Sequence, residues 1–464
     1  MALDEFQIPT HVKKAIKAAG YIVPSSMESY IQQWYDWYSG KDDWYKIDYT
    51  NLDGKSLNRA RMSLKPAKRA ASEFASLILN ESTEVSADSP KANKYLNEFL
   101  DKSNFWPTGQ MIVEKAFALG TAAWALWFNV LGDDVTKIKI RRYDARMVVP
   151  LSWDEEGVSE CAFVTRVSLK GKPADQLQMH VVEEGTYRIK TMLFVDSRII
   201  DPESVGAIAD FDTGCAAKTF GLIKPALENT CVDLSPYGMS VFADAVDAIK
   251  AVDLAFDSMF QEVELTEVKV FMDEAMIDVR SKGGKTIPLP KQEQRKFLKV
   301  AGKDPKNFID VFSPEIRIDP LRSALDVALA EFGELCGFGQ QYFMLDKASG
   351  LKTATEVTSD NSALMRNVRK HENVIRGAIQ DIVTALLTCA RIHCGVDIEE
   401  DFGPITVTFD DSVITDTQTE KNLMMAEIAA GLLPKWKYAV EFYGLSEEEA
   451  KAALPAEEIV DVGF

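Results

Sequence analysis

The sequence predicts an α+β protein with long helices, a separate β-rich region and an inserted α/β module. Apolar residues recur every three or four positions over 236–266 and 353–395, which is the period of an amphipathic helix. Between 135 and 195 the pattern changes to alternation, which is typical of half-buried strands. A compact segment of mixed pattern, 267–319, lies between the first long helix and a further helix at 320–338.

Composition is that of a globular protein with several domains: 464 residues, 46% hydrophobic and 27% charged. No apolar run approaches the roughly 20 residues that cross a bilayer, so no membrane contact is expected. Residues 1–6 have neither the basic nor the apolar part of a secretory signal. The six cysteines form no C-x-x-C pair, which indicates reduced thiols in a cytosolic setting.

The formal net charge of −19 excludes a protein that coats nucleic acid through a basic surface. It is compatible with a protein that guides a duplex without gripping it. An acidic wall repels phosphates and so lets the duplex slide.

The first 235 residues begin with helices and continue into the β-rich region. The aromatic segment Trp34–Tyr45 is interpreted as a helix end that packs into a core, with Gly40 as its cap. A basic run at 59–69 is interpreted as a solvated helix face. Three strands are then predicted from alternation: 137–141, 162–167 and 186–190.

Two clear start signals mark the next long helices. Ser235 is the expected N-cap of 236–266, which would be about 46 Å long at 1.5 Å per residue. Asp319 is the expected cap of 320–338, with Pro320 in its first turn. Four aspartates lie off the apolar stripe of the first helix and are candidates for an acidic wall: Asp244, Asp247, Asp253 and Asp257.

The insertion 267–319 is predicted to hold a strand at 268–272, a turn at 283–284, a helix at 291–300 and strands at 308–312 and 316–318. Residues 280–306 carry nine cations against two acids in an otherwise acidic chain. This basic cluster is a candidate partner-binding surface; pairing with acidic faces of neighbouring copies is the alternative. Its candidate residues are Arg280, Lys282, Lys285, Lys291, Arg295, Lys296 and Lys299.

A polar loop at 339–352, bounded by Gly339 and Gly350, precedes the long helix 353–395. Thr353 and Glu356 form a capping box at the start of that helix. A loop with fixed ends and a movable middle can contact a sliding ligand, whereas an ordinary surface turn with packed aromatic residues is the alternative. The candidate contact residues are Gln341, Lys347, Ser349 and Lys352.

The remaining chain predicts a strand at 405–409 and two short helices at 417–431 and 446–453. Gly283-Gly284-Lys285-Thr286 imitates the end of a phosphate-binding loop, but the position of its first glycine is Val279. Cys389, His393 and Cys394 share part of a helix, but a core cysteine and a helix-end histidine are preferred to an open zinc site. No catalytic residue, metal or cofactor is expected.

One alternative enzyme hypothesis rests on carboxylates around the strand 405–409. Acids at a strand end can bind two Mg²⁺ ions, as nucleases require. The residues in question are Asp397, Glu399, Glu400, Asp401, Asp410, Asp411 and Asp416. A loop of solvated acids is the simpler interpretation.

Taken in order, several segments resemble the portal proteins of phages with long, non-contractile tails (siphophages). The segments are Trp34–Tyr45, Lys68–Glu81, Phe220–Pro225, Ser235–Ser240 and Lys352–Val357. Together they cover most of the chain in the family's order.

The resemblance implies a portal fold that forms a ring, usually of twelve subunits, at one capsid vertex. Residues 1–235 with the return strand 396–416 would be the wing, 236–266 and 320–338 the stem, and 267–319 the clip. The loop 339–352 would line the channel ahead of the long helix 353–395. Residues 417–464 would be a small helical crown. The four stem aspartates would then face DNA.

The same resemblance implies a channel for packaging and ejection of double-stranded DNA, in a protein without an ATPase of its own. Expected partners are further copies of the chain, the terminase large subunit, a head-completion or adaptor protein, and the major capsid and scaffolding proteins. The protein would be assembled in the host cytoplasm and located in the virion. A Mg²⁺-dependent nuclease subunit, or a head–tail adaptor without a packaging role, are the alternatives.

Overall fold

The computed structural model describes residues 7–50, 54–80, 82–131, 134–169, 171–273, 281–282, 285–286, 297–300, 309–345, 354–409, 417–443 and 445–453. The chain divides into two compact units. Unit 1 comprises Met1–Glu28, Ser72–Ser240 and Ser349–Phe464, and unit 2 comprises Ser29–Ala71 and Val241–Ala348. The helix Pro66–Ile78 crosses from one unit into the other.

Unit 1 has its largest sheet where the sequence predicts a β-rich region, and every pairing in it is antiparallel. Its strands in spatial order are Arg198–Ile200, Thr186–Val195, Lys172–Glu183, Gly157–Leu169 and Val148–Asp154, with Asp210–Asp212 also paired to Thr186–Val195. The predicted strands 162–167 and 186–190 are thereby confirmed as parts of longer strands.

Two smaller sheets complete the strands of unit 1. Phe220–Ile223, Ala122–Leu131 and Asp134–Asp144 form one, which contains the predicted strand 137–141. Ile405–Thr408, where a strand is predicted at 405–409, pairs with Glu84–Ala87.

The described helices of unit 1 include one that is far longer than the rest. Ala354–Cys394 has 41 residues, where the sequence predicts a helix over 353–395. The others are Thr10–Ala18, Pro90–Lys102, Phe105–Leu119, Thr417–Ala429, Lys435–Tyr443 and Glu447–Ala453. The sequence predicts the first and last of the three C-terminal helices and misses Lys435–Tyr443.

The large sheet buries both faces. Alternate residues of a strand point to opposite sides, so Val149 and Val148 belong to different clusters. The helix Thr10–Ala18 covers one face by burying Val12 and Ile16 against Val149 and its neighbours. On the other face aromatic residues dominate, with Tyr143 stacked on Phe163 at 4.6 Å between ring centroids.

The described part of unit 2 contains three α-helices besides the start of Pro66–Ile78, two short 3₁₀ helices at Asp43–Tyr45 and Ala243–Ala245, and three small sheets. The three α-helices are Glu28–Ser39, Val246–Leu265 and Ile318–Cys336. The strands Lys46–Thr50 and Ser56–Ala60 form one hairpin, and Ser281–Lys282 and Lys285–Thr286 form another. Lys269–Asp273 is the central strand of the third sheet, paired parallel to Phe297–Val300 and antiparallel to Ile309–Phe312.

The predicted start of the helix 236–266 is wrong. The helix begins at Val246 and has 20 residues, which is about 30 Å. Ser235 does accept a hydrogen bond from the Tyr237 N–H, but the chain then enters the core instead of coiling. The Tyr237 hydroxyl donates to the Val148 carbonyl at 2.9 Å and the Gly238 N–H to Thr121 Oγ1 at 3.0 Å. These tertiary hydrogen bonds replace the first helical turns.

Two predictions for the insertion are also wrong. Phe297–Val300, placed in a helix by the sequence, is a strand because it pairs with Lys269–Asp273; residues 291–296 lie outside the described part. The strand predicted at 316–318 is absent, since the next helix begins at Ile318 and Asp319 lies in its first turn without capping it. The strands predicted at 268–272 and 308–312 are confirmed.

Close packing of the strand Phe220–Ile223 against the helix Ala354–Cys394 depends on Gly221. A Cβ added there would lie 2.1 Å from the Ala378 carbonyl oxygen. We expect Gly221→Ala to lower the free energy of unfolding by about 3 kcal/mol, because helix and strand must separate. Gly377→Ala, on the same helix with nothing within 4 Å of its added Cβ, should raise it by about 0.5–1 kcal/mol. Urea titration of both variants measures this; equal effects would contradict the packing argument.

Candidate functional site

The expected channel region corresponds to a pair of helices in unit 2. Val246–Leu265 and Ile318–Cys336 pack together through apolar faces. The residues that these faces bury include Ile249, Val252, Leu325, Leu329 and Phe332. Asp247, Asp253 and Asp257 lie on the helix Val246–Leu265, and Asp244 lies just before it. The second helix leads into the loop 339–352.

Asp253 is fully buried on the helix Val246–Leu265. Its carboxylate accepts hydrogen bonds from the Tyr45 hydroxyl at 2.7 Å, the Ser63 hydroxyl at 2.7 Å and the Leu64 N–H at 2.8 Å. Burial raises the pKa of Asp253, although these three donors act against the shift.

Asp257 lies one helical turn further and is 2% exposed. Arg59 grips it with two parallel hydrogen bonds of 2.7 Å, and the Met62 N–H adds a third at 3.1 Å. Burial acts to raise the pKa of Asp257, but the hydrogen bonds from Arg59 and Met62 outweigh it and hold this pKa below its ordinary value.

The prediction that Asp253 and Asp257 face DNA is therefore wrong. Both carboxylates are buried within the subunit and hold the segment 59–64 against their helix. The same contacts show that the basic run at 59–69 is not simply a solvated helix face, since Arg59 belongs to the strand Ser56–Ala60. Two acids at i and i+4 on one face were the available signal, but their partners are nearly 200 positions away in sequence.

Asp244 and Asp247 differ from the buried pair because both are exposed. Asp247 forms an ion pair of 3.0 Å with Lys250, one turn along the helix. These two residues remain candidates for an acidic wall.

A clamp that the sequence does not reveal lies at the base of the inserted sheet. Glu262, near the end of one helix, accepts two hydrogen bonds of 2.9 Å from the guanidinium of Arg317, just before the other helix. These bonds lower the pKa of Glu262. The clamp joins the two points where the chain leaves for the insertion 267–319 and returns from it.

The predicted loop begins with a tight, glycine-dependent turn. Gly337 ends its helix with φ +85°, and the Phe338 N–H donates back to the Gly333 carbonyl at 2.8 Å. A Cβ on Gly333 would lie 2.5 Å from the Gly339 carbonyl oxygen. The first residues of the loop are thus pressed onto the helix that they leave.

Aromatic residues fix the next part of this loop. Phe338 and Phe343 are buried, with ring centroids 5.0 Å apart, and Phe343 lies 5.3 Å from Phe332. The Leu345 N–H donates to Asp326 Oδ1 at 2.9 Å. The alternative of an ordinary surface turn has Tyr342, Phe343 and Leu345 packed below it. Phe343 is buried as that alternative predicts, whereas Leu345 is 53% exposed.

Of the candidate loop contacts, Gln341 is exposed. Lys347, Ser349 and Lys352 lie outside the described residues.

The basic cluster of the insertion is described in part. Lys282 and Lys285 stand directly opposite each other in their hairpin, and Lys299 lies in the strand Phe297–Val300 opposite Met272. Arg280, Lys291, Arg295 and Lys296 lie outside the described residues.

The described carboxylates of the nuclease hypothesis are exposed and engaged in separate local contacts. Asp397 pairs with Lys91 at 2.7 Å, Glu399 accepts from Ser89, and Asp401 accepts from the Gly403 N–H. Among the described residues no group of three or more His, Cys, Asp or Glu side chains could hold a metal ion. Asp410, Asp411 and Asp416 lie outside that part.

His393 donates to the Thr213 carbonyl at 2.9 Å, and Cys389 is buried. Cys389 is thus a core residue, and His393 lies in the last turn of its helix, as the sequence predicts. In the described part of the chain, no helix is long and apolar enough to span a membrane.

Comparison with known proteins identifies the class as phage portal proteins. Residues 28–459 match the family described as phage portal protein, SPP1 Gp6-like, so the chain belongs to this family. The family predicted from the order of sequence segments is thereby confirmed, and it places the protein in the phage particle.

Among solved structures, the chain is similar to one from the neck of a native GTA particle computed with C12 symmetry. The identity is 13% and the TM-score 0.41, over 92% of this chain and 97% of that one. A search of curated proteins finds no match.

The buried aspartates should differ in their response to neutralisation. We expect Asp257→Asn to lower the free energy of unfolding at pH 7 by about 1–3 kcal/mol, because Arg59 loses its charged partner. Asp253→Asn should cost less, since burial already disfavours its ionised form. Exposed Asp247→Asn, on the same helix, is the control and should change little.

The sign of the pH dependence follows from the lowered pKa of Asp257. Its contribution is present above the unfolded value near 4 and is lost as pH falls through the folded value. The cost of Asp257→Asn should therefore shrink below about pH 4. Denaturant titrations between pH 3 and pH 7 measure this, and a cost that grows on acidification would refute the assignment.

Proposed function

We propose that copies of this chain form a ring at one capsid vertex, through which double-stranded DNA enters during packaging and leaves during ejection. Membership of the portal family supports this role. The observation that carries ring formation is the exposed apolar surface of the helix pair in unit 2. Its residues are 43–63% exposed: Leu254, Phe260, Val263, Val327 and Leu335.

Large apolar side chains of this exposure, grouped on two adjacent helices, are typical of a surface that another protein covers. The helices Val246–Leu265 and Ile318–Cys336 offer different residues, so one helix of a subunit can pack on the other helix of its neighbour. Such a heterologous contact closes into a ring when its rotation allows. We propose twelve subunits, the usual number for portals.

The net negative charge favours a channel that lets DNA pass over a surface that binds DNA tightly. Twelve copies at −19 each carry a formal charge of −228. Exposed Asp244 and Asp247 are the proposed acidic residues of the wall, because Asp253 and Asp257 are occupied inside the subunit. Repulsion between these carboxylates and phosphates keeps the duplex from adhering to the wall.

The proposed contacts to DNA come from the loop 339–352. Lys347 and Lys352 would each recur once per subunit, giving weak phosphate contacts that a moving duplex exchanges one at a time. The packed part, 339–345, gives this loop a firm base, with Phe343 buried and Leu345 bonded to Asp326.

The basic insertion is the proposed docking surface for the terminase large subunit during packaging and for a head-completion or adaptor protein afterwards. Nine cations against two acids in residues 280–306 support an acidic partner surface. We further propose contacts with the major capsid and scaffolding proteins during assembly in the host cytoplasm, as the family role requires.

Ring formation is tested by polar substitution on the exposed helix pair. The double variant Leu254→Gln, Val327→Gln should keep its fold, since these side chains are 48% and 63% exposed, and should yield smaller species than the wild-type ring. Ile199→Gln is the matched control, because Ile199 is 68% exposed on a sheet strand of unit 1. Light scattering after size exclusion and negative-stain microscopy give the readout. Wild-type protein without a central hole, or normal rings from the double variant, would count against the proposal.

The loop is tested by shortening Asp346–Ser349 to a two-residue turn. Rings of normal size should form, because the buried aromatic base at 338–343 is untouched, while packaging efficiency or DNA retention falls severalfold. Packaging assays with capsids that carry the variant portal, followed by measurement of DNA retained after nuclease treatment, give both readouts. Normal packaging and retention would remove the loop from the mechanism.

A further inference from the structure

In unit 1, the segment after the strand Asp210–Asp212 lies along the end of the helix Ala354–Cys394. His393 Nε2 donates to the Thr213 carbonyl at 2.9 Å. A Cβ on Gly214 would lie 3.5 Å from the Ile392 side chain. Successive residues of the segment contact successively earlier residues of the helix. The next residue, Cys215, lies beside Cys389.

These two cysteines form a contact between thiols. Both are free, and they are 1% and 0% exposed. The Cys215 side chain interacts with the side chains of Cys389 and Thr388, and its sulfur lies 3.6 Å from the Ala217 carbonyl oxygen. The contact with Cys389 lowers the pKa of Cys215 to about 7, while it and burial raise the pKa of Cys389 well above the ordinary value. The Cys215 sulfur is therefore the better nucleophile at neutral pH, and the Cys389 sulfur lies next to it.

The pair is shallow although it is buried. Gly214 and Ala216, on either side of Cys215, are both exposed, so the thiol lies one side chain below the surface. A reagent therefore needs only a local opening of 213–217 to reach the Cys215 thiol. Cys161 and Cys336 are also buried, but burial raises the pKa of both thiols, which makes them poor nucleophiles at neutral pH.

We propose that Cys215 and Cys389 are a dithiol that closes to a disulfide when it meets a small-molecule disulfide such as oxidised glutathione. The Cys215 thiolate attacks one glutathione sulfur, which forms a mixed disulfide and releases one glutathione thiolate. The Cys389 sulfur, deprotonated during attack, then displaces the second glutathione from Cys215. Two electrons pass from the protein dithiol to the oxidant, and the two thiol protons end on the two released glutathiones.

The crosslink joins Cys215, which precedes a long stretch of unit 2 in sequence, to Cys389, which follows it. Residues 241–348, which belong to unit 2, lie between Cys215 and Cys389 in sequence. A bond that closes so long a loop restricts the unfolded chain strongly and so stabilises the fold. A phage particle leaves a reducing cytoplasm for an oxidising medium, so closure would follow release. That timing rests on the proposed function, whereas the crosslink itself does not.

The test is a thiol count on the intact full-length protein. Native protein is incubated with oxidised glutathione at pH 8, freed of reagent, denatured without reductant and titrated with a chromogenic disulfide. Wild type should fall from six free thiols to four, with a mass loss of about 2 Da. Digestion should join the peptides that contain Cys215 and Cys389. The melting temperature should rise by at least a few degrees and return after reduction.

Matched variants separate this pair from general oxidation. Cys215→Ala and Cys389→Ala should form no internal crosslink and show no rise in melting temperature, whereas Cys336→Ala should still lose two thiols. If either alanine variant fails to fold, the wild-type peptide map still decides the matter. Six remaining thiols, a crosslink through another cysteine, or glutathione retained on Cys215 without closure would each overturn the proposal. None of these outcomes bears on ring formation, so the portal role is tested separately.

Discussion

Two carboxylates on one face of the helix Val246–Leu265 hold the segment 45–64 of unit 2 against this helix. Asp253 and Asp257 together receive hydrogen bonds from two side-chain hydroxyls, one guanidinium and two backbone N–H groups of the segment 45–64. Backbone groups in an irregular segment need partners when they are buried, and these acids supply them. The position of the N-terminal hairpin of unit 2 on this helix depends on that exchange.

The same pair shows how environment, rather than residue type, sets the behaviour of a charge. Asp257 has a fixed cation in Arg59 and a lowered pKa, whereas Asp253 has only neutral donors and a raised one. The two residues are one turn apart. Burying an ionisable group without a charged partner is costly. Hydrogen bonds from the hydroxyls of Tyr45 and Ser63 reduce that cost for Asp253 without supplying an opposite charge.

For a portal protein this division of acids has a consequence. Carboxylates bound inside the subunit cannot repel DNA, so in the proposed channel the acidic wall would consist of exposed residues such as Asp244 and Asp247. The large apolar residues that remain exposed on the same helix pair are 43–63% exposed in the subunit, and in the proposed ring a neighbouring copy would cover them. On this helix pair, the exposed acids would face DNA, and the exposed apolar residues would pack against a neighbouring subunit.

The order of several segments along the sequence was enough to suggest the family through resemblance. Local pattern by itself determined the mixed helix-and-sheet class, the long helix Ala354–Cys394 and the strands whose alternation is regular. These features depend on residues close in sequence, so periodicity and caps suffice. Only the tertiary structure decided that the chain at 237–245 leaves its predicted helix, because Tyr237 and Gly238 bond to residues about 90 and 120 positions earlier. It likewise decided that Phe297–Val300 is a strand and that Asp253 and Asp257 are buried. Each of these outcomes follows from a distant partner, and no local pattern contains that partner.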